Sequence, residues 1–404
     1  QRPRECDPWT DAVVWLDKAT GDVPDAGEFW LERRTLVRQL LALGKPKLAF
    51  AAADGYRAGP EARLADAHFH AGWIALSFLK DAKAALPHFE AMRDLATLPE
   101  STAQAYYWLG RTKNVLGDKL GSNEAFASAS RYGTIFYGLL ARAELGLGAQ
   151  IRSMPAWEEA ITPFEENDVV EAVRLLAGNG ETEKAMPLLR SFAFGLEDGG
   201  ELLLAAQLAQ SLGNHDLAIR IAEDADKRGM PLDLFAFPKD GLPKTHLADV
   251  DHAAIYAITR QESHFQIDAI SSAGARGLMQ PMPGTARETA PKVGLPYSKS
   301  RLTTDGAYNA LLGSTYLAAQ LNTFDGSLVL AAAAYNAGPG NARKWIRANG
   351  DPRLAEIDPV SWIEQIPVQE TRNYVKKVLG NYLVYRARLG DTSLTLSEAL
   401  RKIP

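Results

Sequence analysis

The chain has 404 residues, 46% of them hydrophobic and 23% charged, with a formal net charge of -5. That length allows about two or three domains, and the balance is that of a soluble globular chain with substantial cores. No basic run is present, which argues against a nucleic-acid partner. The longest apolar stretch, Leu328 to Tyr335, has eight residues, well short of the roughly 20 needed to span a bilayer.

Cys6 is the only cysteine, so neither an intrachain disulfide nor a cysteine-based metal cluster can form. The chain opens on Gln1 rather than methionine, the pattern of a mature chain whose targeting peptide has been removed, or of a trimmed one. The polar residues before Cys6 do not resemble a lipid-attachment site.

From about Pro8 to Arg228 the spacing predicts one helix after another, rich in Ala and Leu, with almost no period-two alternation. Gly180 with Ala185 recurs as Gly213 with Ala218, a shift of 33 residues in both cases. Together with Ala85, Phe89 and the Trp108–Gly110 to Phe126 stretch, these positions resemble the loose pattern of tetratricopeptide helix pairs. An irregular helical array that matches such a pattern by coincidence is the plainer alternative. Between Met230 and Thr245, Pro231, Pro238, Gly241 and Pro243 interrupt any helix. The expected division is therefore a helical-pair domain over 1–240, with a linker subdomain near 150–240, and a second domain over 241–404. The expected fold class is all-α throughout.

In the second half, Glu262 continues an apolar stripe through Ile255 and Ile258, seven and four positions earlier on one helix face. A carboxyl facing inward loses solvation, which raises its pKa and suits it to general acid work. The following loop carries Ser271, Gly274, Gly277 and Gln280. Its glycines permit close approach of backbone to a ligand, and its polar side chains offer donors and acceptors. Further on, Tyr335 and Asn336 end an Ala-rich helix beside Gly338, a pairing suited to sugar hydroxyl or acetamido groups. Asn336 reads equally as a helix C-cap, and Tyr335 as core packing. Pro367 sits where a helix can begin, after which Tyr374, Val378, Tyr382 and Tyr385 trace one face. Glu370 lies one turn before Tyr374; its bland reading is a first-turn residue favoured by the helix dipole, and that of Tyr374 is packing alone. Asp268 is read as a turn cap, and His264 as a solvent-exposed loop histidine. No metal-ligand spacing, calcium loop or phosphate-binding glycine loop occurs. No metal and no cofactor are expected.

Three runs taken together are specific: Glu-Ser with a serine nine residues after the Glu, then Gly-Leu-Met-Gln; Ala-Tyr-Asn-Ala-Gly; and Glu-Thr-Arg-x-Tyr-Val. In this order and spacing the segment from Asp251 to Arg388 resembles the soluble-type lytic transglycosylases, whose catalytic domain is goose-lysozyme-like. The first half resembles their superhelical domain more loosely. The resemblance implies Glu262 as the sole catalytic acid/base. It implies a substrate-binding cleft drawn from Ser271, Gly277, Met279, Gln280, Ala334, Tyr335, Asn336, Glu370 and Tyr374. Within it Ser271 and Gln280 hold substrate or orient the acid, the Tyr335 hydroxyl approaches the carboxylate, and Glu370 is a second acidic lining residue. Pro281 departs from the usual aliphatic residue there and removes a backbone donor, which puts the loop geometry in question.

The implied substrate is peptidoglycan, cut without water to leave 1,6-anhydro ends, and the implied location is the periplasm. Partnership with other cell-wall enzymes through the helical half is a further expectation. A hydrolytic, lysozyme-like muramidase and a non-catalytic peptidoglycan-binding scaffold are the rival readings.

Overall fold

The protein is described here by a computed structural model covering residues 8–18, 26–245 and 247–401; Cys6 falls outside the described residues. Helices account for all the regular structure among them, as the sequence predicts, and the sole β feature there is an isolated bridge between Ile270 and Arg276. The chain divides into two compact units. The first runs to Gly148 and takes in Trp345–Pro352 and Glu356–Val368; the second comprises Ala149–Lys344, Arg353–Ala355 and the chain from Gln369 onward.

In the first unit successive helices pack in order along the chain: Ala26–Ala42 on Pro46–Asp54, Glu61–Ile74 on Ala82–Leu95, and Pro99–Val115 on Lys119–Ser130. Large aromatics fill the space between helices, with Trp30, Trp73, Trp108 and Trp362 all fully buried. Small residues set the helix separation. A Cβ at Gly110 would stand 2.7 Å from the Phe126 ring, so the bare glycine is what lets that ring seat against its neighbour helix. Two buried polar pairs lie within this unit: Trp73 donates its indole N–H to Ser361 Oγ at 3.0 Å, and the Tyr137 hydroxyl donates to Glu364.

After a short helix, Ile161–Glu165, the second unit has two helix pairs, Asp168–Gly178 with Thr182–Ala193 and Gly199–Ser211 with His215–Lys227. The 33-residue recurrence in the sequence falls on them: Gly180 and Gly213 turn the chain within each pair, and Ala185 and Ala218 are the buried contact residues of the second helices. After the Pro-rich stretch comes the helix His252–Ser263, begun by Asp251, whose carboxylate accepts from Ala253 N. Such a cap is worth about 1 kcal/mol. This helix packs on Gln369–Arg388, against which Leu328–Ala337 also lies. Residues 328–334 are all fully buried, as expected of a short helix apolar on every side. The face of Gln369–Arg388 marked by Tyr374, Val378, Tyr382 and Tyr385 is buried as the spacing predicts, and Tyr385 stacks on Tyr256 with centroids 4.9 Å apart.

Candidate active site

Ile255 and Ile258 are fully buried, so the stripe they form carries Glu262 to the last turn of His252–Ser263 facing the interior. The helix stops at His264, which adopts φ 50° and ψ 36° and donates its N–H back to Arg260 O. Glu262 is half-buried: enough surface remains for a substrate oxygen to reach it, and enough protein surrounds it for desolvation to dominate. Burial pushes its pKa up to about 7; the hydrogen bond from Tyr374 opposes that rise, and the charge of Glu370 adds to it.

The Tyr374 hydroxyl donates to Glu262 Oε1 at 2.7 Å. Burial, then the negative charge of Glu262, hold the Tyr374 pKa well above that of free tyrosine, so the phenol is a neutral donor throughout the physiological range. Tyr335 is likewise raised by burial first and by Glu262 second. Its hydroxyl, however, donates to Met279 O at 2.8 Å. The tyrosine bonded to the carboxylate is thus Tyr374, while Tyr335 ties the Ala-rich helix to the loop that follows Glu262.

That loop is held from within. Ser263 Oγ donates to Leu278 O at 2.7 Å, linking the residue after the acid to the far end of the loop. Gln280, buried and at φ 48°, donates its side-chain amide to Gly277 O at 2.8 Å and Ala269 O at 3.1 Å. Gly277 sits at φ 73°, where an added Cβ would stand 2.0 Å from Leu302 O and 2.3 Å from Asn309 Nδ2. Asn309, fully buried on the helix Gly306–Thr323, donates to Arg276 O at 2.7 Å and to Leu302 O at 2.8 Å, and accepts from Met279 N at 2.9 Å. A carboxyl on a helix end, a neutral phenol on it and a stapled loop beside it make a site for proton transfer to and from one bound oxygen.

Residues 244–357 match the Transglycosylase SLT domain family. Over 150 residues the chain is 38% identical to the soluble lytic murein transglycosylase of Escherichia coli (strain K12), covering 37% of this chain and 23% of that protein. Its fold is similar to that of an inactive Glu→Gln mutant of the lytic transglycosylase Slt from Pseudomonas aeruginosa, with a TM-score of 0.70 and 27% identity over 96% of this chain and 62% of that one. The chain is similar to the soluble lytic transglycosylases, through the domain match over residues 244–357 and through the fold over most of its length. It spans 23% of the length of the E. coli relative it matches. The 70 kDa soluble lytic transglycosylase of E. coli shares the fold at a TM-score of 0.59 and 20% identity, over 96% of this chain and 66% of that one.

The expected site residues fall into three groups. Glu262 and Tyr374 are in direct contact, and Tyr335 and Glu370 are near enough for charge to be felt between each and Glu262. Gly277, Met279, Gln280 and Ala334 are buried beneath the site; the Met279 carbonyl is taken by Tyr335 and that of Ala334 by Gly338 N at 2.8 Å. Ser271 is exposed and its Oγ accepts from Ala275 N at 3.0 Å. Asn336 is half-buried and accepts from Thr371 Oγ1 at 2.7 Å, joining the end of one helix to the start of another.

Two expectations need correcting. His264 is not a free loop histidine: its Nδ1 lies 2.9 Å from Asp216 Oδ1, which ties the end of the helix that carries Glu262 to the helix His215–Lys227. Asn336 does not cap its own helix; its side-chain oxygen accepts from Thr371 instead. Pro281 is built into the loop, where its carbonyl accepts from Arg276 N at 3.3 Å. Asp268 is exposed. Asn309 and Asp216 escaped the sequence reading; for Asn309 the available signal was an amide in register with Leu312 and Gly313 on a buried helix face.

Proposed function

We propose that this chain is a lytic transglycosylase that cleaves the β-1,4 bond from N-acetylmuramic acid to N-acetylglucosamine in peptidoglycan, with Glu262 as acid and then base. The observation that carries the reading is the Glu262 carboxyl itself, half-buried, bonded to Tyr374 and pushed up to about 7. A group that must give a proton and then take one works best with its pKa near the working pH. In the first step Glu262 protonates the bridging oxygen, the bond to the anomeric carbon breaks, and the glucosamine leaves with a free hydroxyl. The acetamido oxygen of the muramic acid stabilises the electron-poor carbon. In the second step ionised Glu262 takes the proton of the 6-hydroxyl, whose oxygen closes on the anomeric carbon. Glu262 ends protonated and no water enters the product.

Ser271, Gln280, Asn336 and Glu370 hold the glycan or orient the acid, over a floor made by Gly277, Met279 and Ala334. Tyr374 steadies the ionised carboxylate between the two steps, and Tyr335 fixes the loop. The catalytic domain is taken as 241–404, in keeping with a family match that begins at residue 244, and the helical half as 1–240, although residues 149–240 pack within the second compact unit. The helical half is assigned to partner enzymes of the cell wall or to guiding a glycan strand. A periplasmic location follows from the proposed substrate. No described helix is long and apolar enough to cross a membrane.

One observation favours a second reading. Glu370 is exposed and close enough for its charge to be felt at Glu262, so a hydrolytic muramidase would have a second carboxylate with which to activate water. Mass spectrometry of purified murein digested by the wild type and by Glu262→Gln separates the two. Fragments one water lighter than reducing-end sugars, and absent from the Glu262→Gln digest, are the expected result. Reducing ends would establish the hydrolase, and cutting that persists in Glu262→Gln would remove Glu262 from the chemistry.

A further inference from the structure

We propose that the first unit carries a second ligand site, a cavity of about 360 Å³ beside Lys80, Arg111 and Glu356, which takes a short peptide bearing a free carboxylate and a free ammonium group. Its size falls in the range of small-molecule pockets, about 300–1,000 Å³. The apolar part of the lining comes from Leu76 and Phe78 with Val115 and Ile357, and Val115 is 67% exposed.

Two of the four charged side chains at this cavity are already occupied with each other. Arg111 Nη1 lies 2.8 Å from Asp358 Oδ2, and the guanidinium sits 4.8 Å above the Trp108 ring. The Asp358 carboxylate also caps the helix Pro359–Gln365, accepting from Val360 N at 3.1 Å. The pair is neutral overall and is fixed by packing. Lys80 and Glu356, by contrast, are exposed and form no ion pair among the described residues. One ammonium and one carboxylate, both free at the edge of a partly apolar hollow, complement a zwitterion. The amides of Asn349 and Gln365 in the same lining suit peptide groups between its charged ends. A neutral sugar would gain nothing from either charge.

The helix from Glu61 gives way at Ala75–Leu79 to a π-helical turn, which ends at Lys80 with φ 58° and ψ 29°. Single π-turns occur frequently at functional sites, and the left-handed region is unfavourable for a non-glycine residue. Three of the other positive-φ non-glycine residues, His264, Phe265 and Gln280, stand in or beside the loop next to Glu262. Lys80 holds the same strained conformation at the rim of this cavity, where glycine would fit without cost and would supply no charge.

Stem peptides attached to muramic acid have this chemistry, so a source in murein rests on the function proposed above; the ligand class itself does not. The test is calorimetric titration of the whole chain with the free tripeptide L-alanyl-γ-D-glutamyl-meso-diaminopimelate. Parallel arms use the same peptide acetylated and amidated at its charged ends, and a peptide-free disaccharide. Saturable binding of the free peptide is expected, weakened about tenfold or more by blocking its charges, as loss of a charge-assisted hydrogen bond predicts. Lys80→Gly and Glu356→Gln should each weaken it by a similar factor. Lys80→Gly also relieves the backbone, so its melting temperature should hold or rise while binding falls, which a purely structural lysine would not do. No binding of the free peptide, or binding unchanged in both variants, overturns the proposal. Because the readout is peptide affinity and not sugar product, a hydrolytic outcome of the murein digest would leave this result standing.

Discussion

Replacing Glu262 by glutamine should make the protein more stable, and only above the pH at which a free glutamate ionises. The folded-state pKa is about 7 against an ordinary value of 4.5, with burial as the main cause. At about 1.4 kcal/mol for each pH unit between those values, the folded state resists ionisation by roughly 3 kcal/mol. Below 4.5 the carboxyl is protonated in both the folded and unfolded chains and there is no penalty. Between 4.5 and 7 the unfolded chain ionises while the folded one does not, so stability drains away as pH rises, and above 7 the loss is complete. Glutamine is neutral at every pH and keeps an oxygen that can accept from Tyr374. The variant should therefore match the wild type at pH 4 and exceed it by about 3 kcal/mol at pH 8.5, a rise of roughly 5–10 °C for a unit of this size. Thermal melts at the two pH values, following the transition of the second unit, measure the difference. Equal melting temperatures at pH 8.5, or a less stable variant there, would refute desolvation as the origin of the acid's pKa and with it the tuned proton donor.

Two further perturbations probe the same site. Tyr374→Phe removes the bond that favours the ionised carboxylate and leaves burial in place, so Glu262 should hold its proton to higher pH. A hydrogen bond to a charged group is worth about 1.5–3 kcal/mol, so the alkaline limb of the kcat/KM profile should move up by about one pH unit; a limb that stays put or moves down contradicts the assigned role. Gly277→Ala places a methyl 2.0 Å from Leu302 O and 2.3 Å from Asn309 Nδ2, at a φ of 73°. Strain and overpacking together should cost about 3 kcal/mol or more, read as a lower denaturation midpoint with murein cleavage lost alongside it. Wild-type stability in that variant would mean the loop has room that the structure denies.

Much of the architecture is legible in local patterns. The helix pairs around Gly180 and Gly213, the break between Met230 and Thr245, and the buried tyrosine face of Gln369–Arg388 all follow from spacing alone. So does the inward aim of Glu262, since Ile255 and Ile258 fix the helix face. A helical period constrains neighbours within a few turns of one another and says nothing about which helix lies opposite.

Tertiary structure decided the rest for that reason. Tyr374 reaches Glu262 across 112 residues, and nothing in its own helix separates that hydroxyl from those of Tyr382 and Tyr385. Gln280 spends its donors on the loop backbone, Asn336 bonds Thr371, and Asn309 supports the loop from a distant helix. Periodicity ranks residues by burial, whereas a buried polar group must find a partner wherever the packing places one. The chain's own order therefore determined its helices and the inward aim of Glu262, and the choice of which phenol bonds that carboxyl was made only when the helices met.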